Sequence, residues 1–174
     1  MSEKTVQMVI DFNGLLNEEL SVVNDLVQLG LEKQKHIISN DIDKLNELIQ
    51  KEGHTISKFN RLETGRYEIQ EQLAGFYNLQ PPEATAQALI DKIQMDDKEL
   101  AQRLKDSTYE MQAAVNKLKE INNHNNQLIG FSIDYMEFLQ SLFEGEVAGV
   151  YTYEGQPEEE RVYLPGKKIL DHRV

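Results

Sequence analysis

Apolar residues recur at three- and four-residue steps, almost without a break, from Val9 to Phe143. That period lays them along one side of an α-helix, and a stripe of such length must be buried against other helices. It is incompatible with a sheet, whose side chains alternate with a period of two. After Phe143 the character changes: residues 145–174 hold four of the ten glycines, two of the four prolines and three of the seven tyrosines. The pattern predicts an all-α fold, an elongated antiparallel bundle or coiled coil over residues 1–144, with residues 145–174 as a flexible C-terminal tail.

Four helices are expected, over about residues 5–39, 41–77, 82–95 and 97–143. The first carries Val9, Phe12, Leu16, Val23, Leu26 and Ile37 on one stripe, with Gly30 inside it, where a missing side chain favours close approach of a neighbour. Ser39-Asn40-Asp41 reads as a break, since Asn40 or Asp41 offers a side-chain oxygen to cap the next helix. Asn78-Leu79-Gln80-Pro81-Pro82 ends the second helix, because each proline removes a donor and biases its predecessor out of helix. Proline is tolerated in a first turn, so a short third helix is expected from Pro82. Asp96 with Glu99 three residues on resembles a capping box for the last helix. The first two helices are similar in length and closely joined, so they should form a hairpin. The last is longer and should overhang one end, where Met136, Phe138, Leu139, Leu142 and Phe143 make the most apolar stretch of the chain. Asn125 falls in a heptad row with Leu118, Ser132 and Leu139, where a polar residue can fix the register of a helix seam.

A net charge of −12 and the lack of a Lys/Arg run disfavour contact with nucleic acid or an anionic membrane. No stretch approaches the roughly 18 apolar residues of a membrane span. The start, Met1-Ser2-Glu3-Lys4-Thr5, is polar and unlike a signal peptide. With no cysteine, thiolate catalysis and cysteine-ligated zinc are excluded. The cytoplasm is the default expectation for a chain with these features.

No catalytic constellation stands out. Gly166-Lys167-Lys168 lacks the remaining positions of a phosphate-binding loop. His36 and His124 have glutamates four residues before them rather than the three of a Glu-x-x-His di-iron motif. Asp96, Asp97 and Glu99 are explained by a helix start. No catalytic, metal or cofactor residue is assigned, and the chain is not read as an enzyme.

The tail is read as a binding element, the alternative being a segment that folds back on the bundle or stays disordered. Val147, Val150, Tyr151 and Tyr153 lie among glycines and charges, as do Val162, Tyr163, Leu164, Ile169 and Leu170, in a segment suited to ordering on a partner. The exposed end of the last helix could dock helix-in-groove beside it. Candidate partner-binding residues are therefore Met136, Phe138, Leu139, Leu142, Phe143, Val147, Val150, Tyr151 and Tyr153.

Three stretches resemble the FlgN family of flagellar export chaperones. They are His36–Leu45 across the first break, Leu62-Glu63-Thr64-Gly65-Arg66, like the family's Leu-Glu-x-x-Arg, and Leu118–Asn122 with Asn126-Gln127-Leu128. The resemblance covers about Val9 to Tyr153. It implies a cytosolic, ATP-independent chaperone that binds the C-terminal helical segments of hook-associated proteins. Delivery to the cytosolic domain of the type III export gate would follow, with the C-terminal part, including Tyr151 and Tyr153, making contacts. Residues after Gly155 match nothing in that pattern. A homodimer through the exposed helix end is compatible with the same residues. Two other readings fit as well: a coiled-coil scaffold or regulator unrelated to secretion, and, less well, a helical-bundle enzyme or metal protein.

Overall fold

The computed structural model describes residues 1–80 and 84–143, the last two by backbone alone. The described residues form four helices: α1 (Glu3–Ile38), α2 (Ile42–Phe76), α3 (Ala86–Asp96) and α4 (Lys98–Phe143). Met1–Glu137 is one compact unit, and Phe138 begins a second.

Two breaks have the same construction. Asn40 and Asn78 both adopt left-handed backbone, with φ of 54° and 53°, a conformation asparagine tolerates better than most residues. Each sits one residue past a helix cap, with the next amide reaching back five residues: Asp41 N to His36 O at 2.9 Å and Leu79 N to Ala74 O at 2.9 Å. This pairing satisfies carbonyls that the helix end would otherwise orphan. Asp41 then opens α2, its Oδ1 accepting from Lys44 N.

Two boundaries differ from the sequence reading. α3 starts at Ala86, not near Pro82, because Thr85 Oγ1 accepts from Ala88 N and caps it there. Asp96 is the last residue of α3, and Asp97 caps α4, its Oδ1 accepting from the amides of Glu99 and Leu100. At each boundary the capping side chain, Thr85 or Asp97, marks the helix start.

α1 and α2 are an antiparallel hairpin. Lys33 pairs with Glu52 at 2.7 Å and Glu19 with Arg66 at 2.9 Å, so fourteen residues back along α1 correspond to fourteen forward along α2. α4 runs the same way as α1: Phe12 shares a cluster with Ala101 and Leu104, and farther along Asn125 Nδ2 donates to Gly30 O at 2.8 Å. α1 is thus the central helix. It buries eleven residues, whereas α2 buries only Leu48, Leu73 and Ala74.

The main core lies where all four helices meet. Val9, Phe12 and Leu16 of α1, Leu73 of α2, Leu89, Ile90 and Ile93 of α3, and Ala101 and Leu104 of α4 form one cluster. Removing apolar surface from water here supplies much of the fold's driving force, at about 1.5–3 kcal/mol for each fully covered large side chain. Tyr77 seals this end by donating its hydroxyl to Asp96 Oδ2 at 3.0 Å; burial, with that carboxylate beside it, pushes the phenol up to about 12.

Polar contacts fix the register. Glu19, 2% exposed, accepts from Arg66 Nε through both carboxylate oxygens at 2.9 Å. Arg66 Nη1 donates to Gln70 Oε1, and Gln70 Nε2 donates to the carbonyl of Ala84, tying the approach to α3 into the hairpin. Burial raises the Glu19 carboxyl above its ordinary range, and Arg66 opposes that rise. On α4, Asn125 is the buried polar residue of the seam, and Gly30 opposite permits a close approach: a Cβ there would lie 2.8 Å from Ile121 Cγ2.

Candidate protein-binding surface

A helix of 46 residues beside one of 36 has to run out of partner. Gly30 lies level with Asn125, and Gln34 Nε2 is 2.6 Å from His124 Nδ1. With both helices rising 1.5 Å per residue, Ile38 falls level with roughly residue 130 of α4. Exposure changes there. Before it, the apolar residues Met111, Val115, Leu118, Ile121 and Leu128 are all at least partly covered. From it on, Phe131 is 68%, Tyr135 60% and Met136 61% exposed.

Two stripes stand open on this part of α4. Phe131, Tyr135 and Phe138 form one at steps of four and three; Ile129, Ile133 and Met136 form the other. Isolated apolar side chains on a surface are normal, but several contiguous ones mark contact surfaces. A helix apolar around more than one face is ordinarily covered by something else.

Of the residues singled out in the sequence, Met136 and Phe138 are exposed and Leu139 is partly covered. Leu142 and Phe143 belong to α4, but their side chains lie outside the described residues, as do Val147, Val150, Tyr151 and Tyr153. Ile129, Phe131, Ile133 and Tyr135 were absent from the sequence-based set. Their signal was available: Phe131 and Ile133 lie outside the heptad rows through Leu128 and Ser132, so they widen the apolar surface beyond a single seam.

The chemistry of this surface is that of contact. Among the described residues no group of three or more His, Asp and Glu side chains is placed to hold a metal ion, and no helix is long and apolar enough to cross a membrane. His36 faces Asp41 at 3.5 Å in the hairpin turn.

Among the described residues the fold is an all-α bundle with an uncovered apolar stretch toward the end of its longest helix. The family model described as FlgN protein matches residues 8–159, and the chain belongs to that family, one of flagellar export chaperones rather than enzymes. No match is found among curated proteins or solved structures. The family motif ending in Arg66 gains a physical reading from the fold, since Arg66 is the counter-ion of buried Glu19.

Proposed function

We propose that this chain binds the C-terminal helical segments of hook-associated flagellar proteins in the cytoplasm and delivers them to the cytosolic domain of the type III export gate. Contact is made by the open end of α4, through Phe131, Tyr135, Met136 and Phe138, continuing through Leu139, Leu142 and Phe143 to Val147, Val150, Tyr151 and Tyr153. The observation that carries this reading is the uncovered aromatic and aliphatic surface of α4 beyond the reach of α1. A client's helix, lacking its own partners before assembly, is complementary to such a surface, and helix-in-groove docking uses anchors at these spacings.

The test is isothermal titration of the full chain with the C-terminal helical peptide of a hook-associated protein. Phe131→Ser and Met136→Ser should each weaken binding by about 2 kcal/mol, roughly thirtyfold in Kd, if they are interface anchors. Tyr109→Ser, at a still more exposed aromatic toward the other end of α4, should leave Kd unchanged. Wild-type affinity in both end variants, with melting temperature preserved, would move the client site elsewhere.

A further inference from the structure

α3 lies beside α2 between the levels of Gln70 and Tyr77: Gln70 Nε2 donates to Ala84 O just before α3, and Tyr77 donates to Asp96 at its end. Toward the other end the described residues supply no fourth helix, and α1, α2 and α4 line an open cleft of about 340 Å³. Ile37 lies on its α1 side, Leu45 and Ile49 on α2, and Asn125 and Ile129 on α4.

Charge is missing from both walls. On α2, Ile42, Ile49 and Ile56 are spaced by seven residues, the interval of a helix seam, and each is at least 45% exposed. Asn46, Gly53 and Asn60 follow them by four residues, with Gln50 and Ser57 beyond, all exposed and none charged. Lys44, Lys51 and Lys58 follow the same isoleucines by two, about 200° round the helix and so away from the row. On α4, residues 121–133 contain no Asp, Glu, Lys or Arg, in a chain that is 28% charged. The two charged side chains that do line the cleft, Lys33 and Glu52, pair with each other at 2.7 Å. Depletion of charge, more than apolarity alone, distinguishes the centre of a protein–protein interface from ordinary surface.

The cleft also presents an unmet polar demand. Asn125 is 3% exposed, and its Oδ1 has no hydrogen-bond partner. Its orientation is set by the other half of the amide: Nδ2 donates to Gly30 O, and a flipped amide would set oxygen against oxygen. A buried acceptor left unpaired is costly, so an occupant that brings a donor gains from it. Asn122 and Asn126 line the cleft as well, and their amides both donate and accept.

We propose that this cleft takes the client's helix as the missing fourth helix and selects one whose contact stripe is uncharged: aliphatic side chains at three- and four-residue steps, interrupted by an amide or hydroxyl donor for Asn125. The inference rests on the reading that a helical client docks on α4, and it carries part of the contact from the bare end into the bundle. Ile129 joins the two, since it lines the cleft and also begins the exposed stripe through Ile133 and Met136. A charged side chain in the client's stripe would lose hydration here without gaining a counter-ion, because Lys33 and Glu52 already satisfy each other.

Methyl NMR of the isoleucine-labelled full chain, titrated with the C-terminal helical peptide of a hook-associated protein, follows cleft and bare end together. Ile37, Ile49 and Ile129 should shift along with Ile133, while Ile10, toward the opposite end of α1, should not. Ile49→Lys and Ile49→Glu, at an exposed position, should each weaken binding by at least about tenfold with melting temperature preserved. Asn125→Leu should weaken it by about two- to tenfold, and Gln112→Lys, exposed nearer the start of α4, should leave it unchanged. Binding that shifts Ile133 but neither Ile37 nor Ile49 keeps the client reading and overturns the cleft. No binding at all overturns both. Opposite effects of the two Ile49 charges mark long-range electrostatics and overturn the proposal, as does native affinity in those variants or in Asn125→Leu. Shifts at Ile37 and Ile49 that grow with protein concentration before peptide is added assign the cleft to a second copy and overturn it equally.

Discussion

Gly30 and Gly53 are both glycines in helix interiors, yet alanine should act on them with opposite sign. In an exposed helix interior alanine is favoured over glycine by about 1 kcal/mol. A Cβ at Gly53 meets nothing within 4 Å, so Gly53→Ala should gain most of that. A Cβ at Gly30 would lie 2.8 Å from Ile121 Cγ2, well inside contact distance. That methyl is attached at the branched β-carbon of Ile121, where helical rotamers are restricted, so it cannot swing aside as a long side-chain tip would. Overpacking of this kind costs about 1–3 kcal/mol. The net for Gly30→Ala is then a loss of about 0–2 kcal/mol, and the two variants should differ by about 1–3 kcal/mol. For a chain of this length 1 kcal/mol moves the melting temperature by about 2–4 °C, so calorimetry resolves the contrast. The decisive arm is Ile121→Ala: on that background the clash is gone, and Gly30→Ala should become stabilising like Gly53→Ala. If Gly30→Ala stabilises the otherwise native chain as much as Gly53→Ala does, the close approach of α1 and α4 is not what the glycine serves.

The Glu19–Arg66 pair predicts a pH signature. Burial already holds the folded Glu19 carboxyl above its unfolded value of 4.5, so its contribution is most favourable below that pH and is lost as pH rises through the folded value. Arg66→Met removes the opposing charge and raises the folded value further; it should cost about 3–5 kcal/mol at pH 7 by urea unfolding, and distinctly less at pH 4, with an equal loss at both pH values ruling out the electrostatic origin. Asn125→Leu loses the hydrogen bond to Gly30 O but also removes an unpaired buried oxygen, two opposing effects of about 1 kcal/mol each, so stability should change by less than about 1 kcal/mol in either direction. A loss on the scale of a core truncation, about 3 kcal/mol or more, would show that Asn125 is needed for folding rather than for register.

Much of the fold was legible because helical spacing and burial report the same thing. Val9, Phe12 and Leu16 sit on one stripe and in one core, and Asn125 was recognisable as a seam residue because it shares a heptad row with Leu118 and Leu139. The overhang followed from comparing helix lengths. Other features depended on partners distant in sequence. Nothing around Glu19 distinguishes it from the solvated acids of α1, since its counter-ion lies 47 residues away. The parallel course of α4 along α1 is likewise invisible to local periodicity, and so is the fact that α1 buries far more than α2. At the candidate site the apolar character was readable, but which residues are bare depends on where α1 stops. That is why Met136 and Phe138 were identified while Phe131 and Ile133 were passed over.

The shared direction of α1 and α4 has a practical corollary. Met1 and the bare aromatic stretch from Phe131 are separated by the length of α1, about 54 Å for 36 residues. A fluorophore, affinity handle or solid support attached through the amino terminus leaves that stretch pointing away from the attachment and free to be sampled.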